Sequence, residues 1–129
     1  MIVIDCSALL AFLLDPQGNN PVGTAIGRAE SLAAPDLIDV EMISALRRLE
    51  NFRRISRPVA DRLVDQFLLL QLERFPAHDL VPSIWKLRNN FSAYDAAYVA
   101  LARSLKAPLL TRDGRLQRAV AEITNIALI

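Results

Sequence analysis

Ile2, Val3 and Ile4 form a short β-branched run that stops at Asp5, and from Ser7 an apolar stretch, Ala8 to Leu14, ends before Pro16. This reads as strand, turn and helix: β-branched side chains suit a pleated surface, and proline does not continue a helix interior. Asp15 to Asn20 carries loop residues. Pro21, suited to a helical first turn, opens a second helix running to about Glu30, and a short strand over Ser31 to Ala34 follows.

Between Leu37 and about Arg54, Ile38, Met42, Ala45, Leu46, Leu49 and Phe52 recur at helical spacing in one arc, with Arg47, Glu50 and Arg54 opposite. The spacing predicts an amphipathic helix opened by Pro35 or Asp36. Ser56 followed by Pro58 marks the start of the next helix, through Leu63, Val64, Phe67 and Leu70, so the two make a helical hairpin. Leu72 to Phe75 is a candidate strand, and Asp79, Val81, Ile84, Trp85 and Leu87 mark another helix, ended near Asn89 and Asn90. Ser92, with Asp95 three positions on, resembles a capping box before the alanine-rich helix Ala96 to Lys106. Pro108 to Leu110 reads as a strand, Asp113 opens a further helix, and Ile126 to Ile129 is expected as a last strand.

Short, nearly all-apolar strands alternating with helices imply a parallel sheet covered on both faces. The fold class is therefore α/β, in three α/β/α layers around a short central, mainly parallel sheet, expected as one domain over residues 1–129. Ligands gather at the carboxyl ends of strands in such sheets, and Asp5 and Asp113 both follow strands.

Composition narrows the function classes. The chain is 53% hydrophobic and 22% charged over 129 residues, which excludes disorder. No apolar run reaches the roughly 20 residues of a membrane span, and Met1 leads straight into a strand pattern without a basic flank, so a cytoplasmic protein with no membrane contact is expected. With one cysteine, Cys6, and one histidine, His78 in a predicted loop, the chain lacks a zinc-type ligand set. A net charge of +1 gives no global field for nucleic acid. Two arginine clusters, Arg47 to Arg57 and Arg103 to Arg118, have the solvated helix face as their ordinary explanation.

Four carboxylates stand beside apolar, core-type positions: Asp5, Glu41, Asp95 and Asp113. Each has an ordinary structural explanation. Asp5 and Asp113 can cap the helices that follow, Glu41 at the border of its apolar arc can pair with Arg48, and Asp95 can stabilise a helix N-terminus by about 0.3–1 kcal/mol. Those explanations do not predict that strand ends and inward first turns bring all four to one rim of the sheet. Several oxygen ligands in one pocket suit a hard divalent cation such as Mg²⁺ or Mn²⁺, and with it phosphodiester hydrolysis.

Taken in order, Ile2-Val3-Ile4-Asp5-Cys6-Ser7-Ala8, Glu41 after Pro35-Asp36-Leu37, Ser92-Ala93-Tyr94-Asp95-Ala96-Ala97-Tyr98 and Leu109-Leu110-Thr111-Arg112-Asp113 resemble a PIN-domain ribonuclease, specifically a VapC-like toxin of a type II toxin–antitoxin module. The likeness spans nearly the whole chain. It implies that Asp5, Glu41, Asp95 and Asp113 are catalytic metal ligands for Mg²⁺ or Mn²⁺. Ser7 and Thr111 match the accompanying hydroxyls, orienting carboxylates or water, with helix capping and strand-end bonding as the competing explanation. It further implies an RNA substrate, a VapB-like antitoxin, a homodimer, and contact with DNA only through the antitoxin. The hairpin from Ile38 to Leu72, with its run Phe67-Leu68-Leu69-Leu70, is either a clamp for that partner or dense core packing. A PIN domain of negligible turnover that binds RNA or antitoxin is the alternative function. A phosphoacceptor receiver would want paired acids after the first strand, and a haloacid-dehalogenase phosphatase an Asp where Ser7 stands.

Overall fold

The computed structural model describes residues 1–129. Its chain order is β1 (Ile2–Ile4), α1 (Cys6–Leu14), α2 (Pro21–Arg28), β2 (Leu32–Pro35), α3 (Ile38–Asn51), α4 (Arg57–Leu69), β3 (Leu72–Phe75), α5 (Ala77–Lys86), α6 (Ala93–Leu105), β4 (Leu109–Leu110) and α7 (Gly114–Ile123). The four strands form one sheet in the order β3-β2-β1-β4, with every pairing parallel. Ile2, Val3, Ile4 and all of β2 and β4 are buried, because helices cover both faces of the sheet. The α/β class expected from the alternation is what forms.

On one side α6 lies across β1, β2 and β4 with α5 beside it, while α1 gathers α2, α3 and α4 into a second helical group. Ala96, Ala97, Ala100 and Ala102 of α6 are buried and carry almost no side-chain volume, which lets the helix press close to the sheet. A cluster of 31 buried apolar residues runs through sheet and helices. No helix is long and apolar enough to cross a membrane.

Several local expectations are corrected. Neither Pro35 nor Asp36 caps α3: Leu37 holds the cap position without a side-chain bond, and Asp36 Oδ1 instead accepts from the Ala77 N–H at 3.0 Å, tying the end of β2 to the start of α5. Helix α5 begins at Ala77, so His78 is helical and not in a loop. Ile126 to Ile129 does not form a strand. Only a single bridge, Leu109 to Leu128, survives there, because β4 is two residues long and Pro108 before it has no N–H to extend a ladder.

Candidate active site

The strand register sets the foundation. Val3 pairs with Leu109 and Ile4 with Leu110, so the residues leaving these neighbouring strands, Asp5 and Thr111, emerge side by side. Asp5 is 5% exposed and Thr111 1% exposed. Asp5 Oδ1 accepts from the Ala8 N–H at 2.9 Å and from Ser7 Oγ at 2.7 Å, and its Oδ2 accepts from Thr111 Oγ1. Ser7 Oγ in turn accepts from the Arg112 N–H at 2.9 Å, and Thr111 Oγ1 from the Asp113 N–H at 3.0 Å. The two hydroxyls thus stitch the β1–α1 turn to the β4–α7 turn. Ser7 and Thr111 thus satisfy the strand ends, and the same two hydroxyls donate to the carboxylate of Asp5.

Asp5 also caps α1, and Asp113 caps α7 by accepting from the Arg115 N–H at 2.9 Å and the Leu116 N–H at 3.3 Å. For Asp113 these bonds use Oδ1 and leave Oδ2 without one. Glu41 lies in the first turn of α3 and Asp95 in the first turn of α6. The pairing of Glu41 with Arg48 does not form: the chain's one ion pair joins Arg74 and Asp39 at 2.8 Å. Glu41 Oε1 instead accepts from the hydroxyl of buried Tyr98 at 2.6 Å. Tyr98 is a site residue that sequence reasoning did not single out, although its position three after Asp95 put it on the same inward stripe.

All four acids line one cavity of about 760 Å³, together with Ser7, Cys6, Tyr98, Tyr94, Val40 and Arg48. Burial raises the pKa of Asp5 most, and the charge of Asp95 adds to it, despite the lowering effect of bonds from Thr111, Ala8 and Ser7. Glu41 is raised by burial and then by the charges of Asp5 and Asp95, against the Tyr98 bond. Asp95 is raised by burial and by Asp113, against Arg115 and Ser92. Cys6, next to Asp5, is pushed up to about 12 by burial and by the charges of Glu41 and Asp5. The acids share a cavity but do not form a closed cage: no three His, Cys, Asp or Glu side chains stand close enough to hold an ion by themselves.

Residues 2–122 match the PIN domain family. Ribonuclease VapC9 of Mycobacterium tuberculosis is 42% identical over 116 residues, covering 90% of this chain and 88% of that protein. This chain is a PIN domain of the VapC ribonuclease family. Ribonuclease VapC12 of the same organism is 36% identical, over 100% of this PIN domain and 99% of the relative. Among solved structures, a toxin–antitoxin complex from Klebsiella pneumoniae superposes with a TM-score of 0.68 at 16% identity, over 98% of this chain and 96% of that one, a likeness of fold alone. In this PIN domain the acidic cavity opens where the first turns of α3 and α6 meet the carboxyl ends of β1 and β4, the usual place for a ligand in a parallel sheet.

Proposed function

We propose that this PIN domain is the endoribonuclease toxin of a toxin–antitoxin pair, hydrolysing RNA phosphodiester bonds at Asp5, Glu41, Asp95 and Asp113 with Mg²⁺ or Mn²⁺. One observation carries the reading: three carboxylates of raised pKa line a single cavity, and no ion pair neutralises them. Ionising such a group costs stability that a proton or a bound cation would offset. An all-oxygen donor set fits a hard divalent ion such as Mg²⁺ or Mn²⁺.

The four acids would hold the ion, which when bound neutralises phosphate charge and makes water a better nucleophile near neutral pH. The chain's own groups do the rest. Ser7 and Thr111 fix both oxygens of Asp5, and Tyr98 fixes one oxygen of Glu41. Arg48, on the cavity wall, and Arg47 and Arg112 nearby in sequence would draw in phosphates that the bare acids repel.

The named ribonuclease relatives support an RNA substrate, and the toxin–antitoxin complex of like fold supports a VapB-like antitoxin as partner, with any DNA contact made through it. The α3–α4 hairpin suits that partner: Phe67 is buried, but Leu68 and Leu69 point outward, so the apolar run exceeds core packing. A homodimer in the cytoplasm completes the proposal. A second reading, an RNA- or antitoxin-binding module with negligible turnover, is favoured by the absence of a ready-made three-ligand cage.

Purified chain free of antitoxin should cleave RNA with Mg²⁺ or Mn²⁺ and stop when the cation is chelated. RNA binding with no cleavage under any divalent cation would select the second reading.

A further inference from the structure

An ionised carboxylate offers about four lone pairs, shared between its two oxygens, and the fold has engaged several of those around the cavity. On Asp5, Oδ1 accepts from the Ala8 N–H at 2.9 Å and from Ser7 Oγ at 2.7 Å. On Asp113, Oδ1 accepts from the Arg115 N–H at 2.9 Å and the Leu116 N–H at 3.3 Å. Both lone pairs of each Oδ1 are in use, so each aspartate can offer a cation only its Oδ2. Glu41 is restrained differently. Its Oε1 accepts one bond, from the Tyr98 hydroxyl at 2.6 Å, the length of a charge-assisted bond. Tyr98 is 2% exposed on α6, the helix packed against the sheet, so its hydroxyl is a fixed anchor for a long side chain on another helix.

How many oxygens each acid can turn toward a cation bears on which cation fits. Ca²⁺ takes about six to eight oxygens in loose geometry, often both oxygens of one glutamate, whereas Mg²⁺ is smaller, demands an octahedron and keeps several waters. Asp5 and Asp113 are limited to one oxygen by main-chain amides that no side-chain substitution removes. Glu41 is limited by a single hydroxyl. We propose that Tyr98 is a positioning residue that sets ion selectivity: by holding Oε1 it restricts Glu41 to one donor oxygen, so the cavity favours Mg²⁺ or Mn²⁺ over Ca²⁺. The inference rests on the cation-site reading above and assigns the selectivity of that site to a side chain outside the four acids.

The test measures Mn²⁺ and Ca²⁺ binding by titration calorimetry, without RNA, to the antitoxin-free wild-type chain and to Tyr98→Phe, which keeps the buried ring and removes only the hydroxyl. Wild type should prefer Mn²⁺. Tyr98→Phe should lose about 10- to 100-fold in Mn²⁺ affinity while Ca²⁺ affinity holds or rises, so the preference falls by about the same factor. A preference that Tyr98→Phe leaves unchanged, whether both affinities drop together or neither moves, overturns the inference and leaves Tyr98 a purely structural partner of Glu41. Equal binding of the two ions by wild type overturns it as well. A second measurement needs no Tyr98 variant: the carboxylate infrared band of Mn²⁺-loaded wild type that disappears in Glu41→Gln should be that of one-oxygen ligation, and a two-oxygen band overturns the inference. In each of these cases wild-type Mn²⁺ binding stands, so the cation-site reading survives; a wild type that binds neither ion removes both.

Discussion

Asp5 accepts three hydrogen bonds and still has a raised pKa, because burial outweighs them. Its position after β1 was legible in the sequence as a strand end, but its main stabiliser, Thr111, lies 106 positions away and depends on which strands are neighbours. Thr111→Val removes that donor from a buried carboxylate. It should cost about 1–3 kcal/mol in chemical unfolding and about 10- to 100-fold in RNA cleavage. Glu41 stands at the border of its apolar arc in the sequence, yet spacing along one helix favours Arg48 as its partner and does not reveal Tyr98 across 57 positions. The raised acids also make a pH statement. Their pKa values exceed the ordinary 3.8 for Asp and 4.5 for Glu, so above that range the folded chain holds protons the unfolded chain has released, and stability falls as pH rises. Asp95→Asn removes one such charge. Scanning calorimetry should find its Tm a few degrees above wild type at pH 7, with the gap shrinking toward pH 4.

Helix starts decide how firmly the acids are presented. Ser92 was legible as a cap, and its hydroxyl accepts from the Asp95 N–H at 3.2 Å, fixing the turn that carries the carboxylate. Ser92→Ala should lower stability by about 1 kcal/mol and reduce cleavage more than a surface change of equal cost, because the frayed turn is the one holding Asp95. Equal losses for the two would show that the cap serves folding alone. The start of α3 was misread, since an Asp two residues before a helix looks like a cap from sequence, whereas Asp36 is drawn away by the Ala77 amide on another element. The last strand failed for a similar reason: Ile126 to Ile129 has strand composition, but β4 offers it only one rung.

For the molecule as a whole, alternating strands and helices made the parallel, doubly covered sheet legible, while the order β3-β2-β1-β4 was not, since other orders satisfy the same pattern. That order is what sets β1 beside β4 and so brings Asp5, Thr111 and Asp113 to one end of the sheet. The shared cavity of the four acids is a property of topology, and the central claim is that they act there as one cation site for RNA hydrolysis. The most direct test is the Mn²⁺-dependent rate of RNA cleavage for Asp5→Asn, Asp95→Asn and the double variant. Groups that work as a unit are not additive, so each single change should cost at least about a hundredfold and the double variant little more than the worse single one. Losses that multiply in the double variant, or a single variant that cleaves at the wild-type rate, would contradict one shared site.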